Sequence, residues 1–180
     1  MMLYVNGDSH TTAAEAVNQY IVAGEDPRLV HLGKLPHPEN LAVSWGKMLS
    51  LSLKVAFHCA AYSDNTVDKI LEDTKKYIKE KGSADLIIIQ WPAIAEDENK
   101  IFQFHQELLS QNIKHIFFNN NQTFSLDRDW NNSFIRVPYE NYILDEKIDT
   151  VSPNSKHFGK DGHSVWNRLL INYIISHKFI

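Results

Sequence analysis

The stretch that most restricts the fold is Asp85-Leu86-Ile87-Ile88-Ile89-Gln90, whose apolar residues run on without a polar one between them. A strand with one face in water alternates polar and apolar side chains. An unbroken run asks for burial on both faces, the condition of a central strand in a parallel sheet covered by helices. Further strand candidates, less uniformly apolar, are Leu3-Tyr4-Val5, Lys54 to Ala60 and Ile113 to Phe118, with Ser133 to Val137 as a short extra strand. Helical spacing fills the intervals. Leu41, Trp45, Met48 and Leu49 share one face, with Trp45 read as core packing ahead of sugar stacking. Val67, Ile70, Leu71, Thr74 and Ile78 share another, and Ile101, Phe102, His105, Leu108 and Leu109 a third. From Phe158 onward, Val165, Trp166, Leu169, Leu170, Tyr173 and Ile174 predict a final helix, while Tyr139 to Asp149 reads as a loop with some helix. Strands that alternate with helices must cross over to rejoin their neighbours in parallel. The expectation is a single domain over residues 1–180, a three-layer α/β/α fold with a flavodoxin-like parallel sheet of about four to five strands.

Such sheets bind ligands at the carboxyl ends of their strands. That rule gathers Gly7 to His10, Ser63 to Asn65, Gln90 to Trp91 and Asn119 to Asn121 into one polar neighbourhood. The first of these is the sharpest. Leu3 to Val5 stop at Gly7-Asp8-Ser9-His10, and Thr11 to Val17 reads as a capped helix that fades before Gly24-Glu25-Asp26-Pro27. Ser9 then sits at a strand-to-helix elbow, as a plain helix cap or as an exposed nucleophile.

A net charge of −4 gives no electrostatic reason to expect nucleic acid or an anionic membrane as partner. The single cysteine, Cys59, rules out an internal disulfide and fits a reducing compartment. Neither a secretory leader nor a membrane span is visible, so a cytoplasmic protein is expected. Residues Arg28 to Asn40 read as surface connection, and their His31 and His37 as solvated loop residues, since no second pair with ligand spacing accompanies them. No metal or cofactor is expected. His105 and His115 read as core or flank residues.

Two blocks carry a family resemblance. Gly7-Asp8-Ser9 near the start, with Asn154-Ser155-Lys156-His157-Phe158-Gly159-Lys160-Asp161-Gly162-His163 near the end, resembles the first and last blocks of the SGNH/GDSL hydrolases. That family places an acidic residue three before its catalytic histidine and a glycine five after it, a spacing that fits His157 and Gly162 and not His163. The resemblance implies Ser9 as nucleophile and His157 as general base. It puts Asn154 where the acid belongs, so an amide, or else Asp149 or a backbone carbonyl, would orient the ring. The family's second block offers a glycine N–H to the oxyanion, and Ser63 falls about there with Asn65 close by. Its third block usually reads Gly-x-Asn-Asp, where this chain has Gln90-Trp91-Pro92-Ala93. An oxyanion and substrate site is therefore expected from the Ser9 N–H, the Ser63 N–H and Asn65, beside Asp8, Gln90 and Trp91, with Asn119 or Asn120 as alternatives.

The activity implied is an esterase or deacetylase working through an acyl-enzyme on Ser9, its substrate a short O-acyl ester, expected on a carbohydrate. Trp91, Trp130 and Tyr139 would suit a ring-shaped polar ligand. Two rivals stand beside it. One is a degenerate binding or assembly module of the kind found in tailed phages or bacterial glycan operons, with a phage structural partner or a homo-oligomer; the apolar end Ile174-Ile175 and Phe179-Ile180 reads as packing on its own sheet ahead of docking a partner subunit. The other is a flavodoxin-like nucleotide or phosphate binder, which Gly7 to Thr11 does not favour because it lacks a phosphate-loop pattern.

Overall fold

The computed structural model describes residues 1–17, 36–92, 97–124 and 127–180. Five strands, β1 (Met2–Asn6), β2 (Ala56–Cys59), β3 (Leu86–Trp91), β4 (His115–Asn119) and β5 (Phe134–Ile135), form one sheet in the order β2-β1-β3-β4-β5. Every pairing is parallel, with Val5 opposite both Cys59 and Ile88, and Ile88 opposite Ile116. This is the flavodoxin-like strand order. All six residues of β3 are buried, as its unbroken apolar run requires.

Alternation along the strands sends side chains into two cores. On one face, Leu3, Val5, Leu86, Ile88, Ile116, Phe118 and Ile135 pack against α2 (Trp45–Leu53), α5 (Tyr139–Asp145) and α6 (Lys160–Ser176). On the other, Tyr4, Ile87, Ile89, Trp91, Phe117 and Phe134 meet α3 (Val67–Lys81) and α4 (Glu98–Ser110). The chain is thus α/β/α in three layers. Gly162 lets α6 come close: a Cβ there would lie 2.6 Å from Phe158 Cβ and 3.2 Å from Ile143 Cγ2. Among the described residues no helix is long and apolar enough to cross a membrane.

Four expectations are corrected. Residues 11–17 are not helical. They form a series of tight turns, with Thr11 N–H donating to Asp8 O at 3.1 Å and Ala14 N–H to Ser9 O at 3.0 Å. Ala13 (φ 56°) and Glu15 (φ 63°) are left-handed, a conformation that no right-handed helix contains. The remainder of that expected helix lies outside the described residues. The helix drawn through Leu41 and Leu49 is two, α1 (Pro38–Ala42) and α2, because Ser44 turns extended and its hydroxyl accepts from Lys47 N–H. The predicted loop over 28–40 therefore ends in helix, with His37 as its N-cap, and His31 lies outside the described residues. Finally, Trp91, Trp130 and Tyr139 are buried among core aromatics, so none offers a face to a sugar.

Buried histidines make the fold acid-sensitive. His105 and His115 share a 2.8 Å hydrogen bond inside the second core, and His163 accepts from Trp45 N–H and Tyr139 O–H. Burial holds His115 down to about 4 and His163 to about 3, lowers His105, and with lesser contributions from the neighbouring His157, His163 and Lys156 holds His10 to about 3. The unfolded chain binds protons at these rings from about pH 6.5 downward while the folded chain does not. Stability is therefore full above that pH and declines below it, each fully buried ring costing roughly 2 kcal/mol at pH 5. Asp8, whose carboxyl burial pushes up to about 6, acts in the opposite sense and offsets only part of this. The melting temperature is expected to fall steeply between pH 7 and pH 5 by circular dichroism, and a flat profile would contradict neutral burial of these rings.

Candidate active site

Asn6 ends β1 with its side chain buried, and its Oδ1 accepts from Gly7 N–H at 2.8 Å. The Asn65 amide donates to Gly7 O at 3.0 Å and to Asn6 Oδ1 at 3.3 Å. Both backbone groups of Gly7 are thereby held by side-chain amides. A Cβ at Gly7 would collide with Thr11 Oγ1 and lie 3.0 Å from Gln90 O, so only glycine fits here. Thr11 Oγ1 donates to Gln90 Oε1 at 2.6 Å, and Gln90 Nε2 donates to Asp8 Oδ1 at 3.0 Å. Asp8 Oδ1 also accepts from His10 N–H at 2.9 Å. Gln90 thus ties β3 to the turn on both sides of Ser9. Burial raises the Asp8 carboxyl to about 6, although the His10 N–H and the Gln90 amide work against that rise.

Ser9 Oγ lies 2.8 Å from His157 Nε2. His157 reaches it from the loop just before α6, and its own Nδ1 lies 2.6 Å from Glu15 Oε2. A carboxylate only accepts, so the ring carries its proton on Nδ1 and turns the Nε2 lone pair toward the Ser9 hydroxyl. Ser155 Oγ donates to the same Glu15 oxygen at 2.6 Å and accepts from His157 N–H at 2.9 Å. Partial burial opposes the charge on Glu15, but the donations from Ser155 and His157 outweigh it and hold the carboxyl below its usual range. Serine, imidazole and carboxylate are therefore in line, the arrangement that makes a hydroxyl nucleophilic.

The residues named from the sequence divide. Ser9, His157, Asp8 and Gln90 come together. Asn154 is exposed, and Glu15 occupies the position beside Nδ1 that Asn154 was expected to fill. Asp149 is exposed as well. Asn65 spends both amide hydrogens on the elbow, and Trp91 points into the core. Ser63 is half-buried in the loop after β2, the strand beside β1. Asn119 and Asn120 are buried at the end of β4, Asn120 bonded to His10 and Glu140. Among the described residues the Ser9 N–H meets no acceptor, and no group of three His, Cys, Asp or Glu is placed to hold a metal ion. Sequence reasoning missed Glu15 because it read Thr11 to Val17 as helix, and two non-glycine residues in the left-handed region leave no compositional sign.

Comparison with solved structures finds chains of similar fold. A protein of Desulfitobacterium hafniense DCB-2 ascribed to the lipolytic G-D-S-L family is 14% identical, with 99% of each chain covered and a TM-score of 0.56. A member of the lipolytic G-D-S-L family from Veillonella parvula DSM 2008 is 15% identical, over 95% of this chain and 97% of that one, with a TM-score of 0.57. The chain therefore has an SGNH/GDSL-like fold. No protein-family model matches the sequence, and no curated protein does.

Proposed function

We propose that this chain is a serine hydrolase that removes a short acyl group from an ester through an acyl-enzyme on Ser9. The observation that carries the reading is the unbroken line from Glu15 Oε2 through His157 to Ser9 Oγ, with contacts of 2.6 and 2.8 Å. His157 Nε2 takes the Ser9 proton as Oγ bonds to the ester carbonyl carbon, and the carbonyl oxygen becomes an oxyanion. The imidazolium, steadied by the Glu15 carboxylate, returns that proton to the departing alkoxide, leaving alcohol and acyl-Ser9. Water then attacks the acyl carbon while His157 accepts its proton, and the proton passes to Ser9 Oγ as the acid leaves.

The Ser9 N–H, which meets no acceptor among the described residues, and the Ser63 N–H are the donors proposed for the oxyanion. Gln90 and Asn65 do not join them, their amides being engaged with Asp8 and with the elbow. The aromatic residues that suggested a sugar, Trp91, Trp130 and Tyr139, are buried and give it no stacking platform. Acetylated sugars are proposed substrates alongside simpler acetyl esters. A degenerate binding module is the second reading, favoured by the missing third-block asparagine at Gln90-Trp91-Pro92-Ala93.

Hydrolysis of p-nitrophenyl acetate and acetylated sugars by wild type and Ser9→Ala separates the two. Turnover by wild type alone supports the hydrolase, whereas equal turnover or none by both favours the binding module. In the active protein, Glu15→Gln is expected to lower kcat by about 10²- to 10⁴-fold, by comparison with loss of the acid in serine proteases. Asn154→Asp should bring no gain, and a faster Asn154→Asp enzyme would overturn the assignment of Glu15.

A further inference from the structure

His157 is held at both ring nitrogens, by Ser9 and by Glu15. Its face is closed by His10, whose ring centroid lies 4.9 Å away at a 57° tilt. His10 is buried, and its far side leans edge-on against Tyr139. A second imidazole this close is hazardous to a general base: once protonated, it would repel the positive charge that His157 must take up in the reaction.

The end of β4 meets this difficulty. Asn120 Nδ2 lies 2.6 Å from Glu140 Oε1 and 3.0 Å from His10 Nε2. The Glu140 carboxylate can only accept, so the amide is fixed with its NH₂ end toward both groups, and one N–H occupies the His10 Nε2 lone pair. Glu140 N–H in turn donates to Asn120 O at 2.8 Å, locking residue to residue in both directions. His10 must then carry its single proton on Nδ1, an atom with no partner among the described residues. The same Glu140 oxygen lies 3.6 Å from His10 Nε2, and would favour a proton there if the Asn120 N–H did not fill that lone pair.

We infer that Asn120 and His10 are positioning residues for the catalytic imidazole: Asn120, oriented by Glu140, holds His10 as a neutral ring that packs on His157 without charging beside it. This rests on the hydrolase reading of Ser9 and His157. The charged and titratable groups around His10 are His157, Glu140, Tyr139, His163, Lys156 and Asp8. Glu140 favours a charged His10 through its 3.6 Å approach to Nε2, and the Asn120 N–H fills the lone pair on which that proton would sit. Burial and the neighbouring His157, His163 and Lys156 act together to hold His10 down to about 3.

Two measurements test this, one without turnover. In wild type, the ¹⁵N shifts of His10 should be those of a neutral ring with Nδ1 protonated across pH 5 to 8, and a His10 that titrates above pH 6 or carries its proton on Nε2 overturns the inference whatever the enzyme does. With p-nitrophenyl acetate, Asn120→Leu should lose about tenfold or more in kcat/KM relative to wild type at pH 5.5 and less than about threefold at pH 8. Adding His10→Phe, which keeps a ring but removes the proton site, should restore most of the loss at pH 5.5. A deficit equal at both pH values, or one that His10→Phe does not relieve, marks a merely structural role and sinks the proposal. Absence of turnover in wild type sinks the hydrolase reading instead and leaves the ¹⁵N result to decide the protonation of His10.

Discussion

The hydrogen bond from His157 Nδ1 to Glu15 is the interaction on which the rest of the site depends. It fixes which nitrogen of the ring holds the proton, and so leaves Nε2 as an acceptor for the Ser9 hydroxyl. Glu15 lies in the same run of tight turns as Ser9, the proposed nucleophile, so folding of the segment after β1 supplies two of the three groups together. The third comes from the far end of the chain, where Gly162 allows α6 to seat closely against Phe158. Two left-handed residues, Ala13 and Glu15, accompany this course of the chain, and sparsely populated backbone conformations are kept where surrounding contacts enforce them. Around them, Ala14 N–H donates to Ser9 O, Ala16 N–H donates to Ala13 O, and Ser155 and His157 donate to the Glu15 side chain.

Around that line the structure commits its amides to support. Asn6 and Asn65 hold Gly7, Gln90 spans from Thr11 to Asp8, and Asn120 spans from Glu140 to His10. Each brings a different strand end to bear on the turn that carries Ser9, since β1, β3 and β4 are neighbours in the sheet and the loop after β2 lies beside them. The chain has an SGNH/GDSL-like fold in which amides expected to bind an oxyanion instead brace the elbow. That leaves backbone N–H groups as the proposed oxyanion donors.

The scaffold was largely legible in the sequence, for a physical reason. The strands β1 to β4 are buried on both faces or end in polar turns, and helical spacing from Val67 and from Val165 reports a core that long elements cannot hide. The site was legible only in part. Ser9 and His157 were reached through blocks whose spacing is local, and Asp8 and Gln90 through the rule that strand ends gather. Glu15 was not, because its position follows from backbone turns at Ala13 and Glu15 that ordinary side chains do not announce. Asn154 and Trp91 misled for related reasons: the first is near His157 in sequence but turned to solvent, and the second faces the opposite side of β3 from Gln90, as alternation along a strand dictates.

The central claim, that Ser9 is made nucleophilic by His157 and Glu15, is tested most directly by a serine-directed fluorophosphonate and peptide mapping by mass spectrometry. A serine activated in this way should take one phosphonyl group on Ser9, with a labelling rate that drops sharply in Glu15→Gln. No adduct on Ser9, or an equal rate in the two proteins, would contradict it.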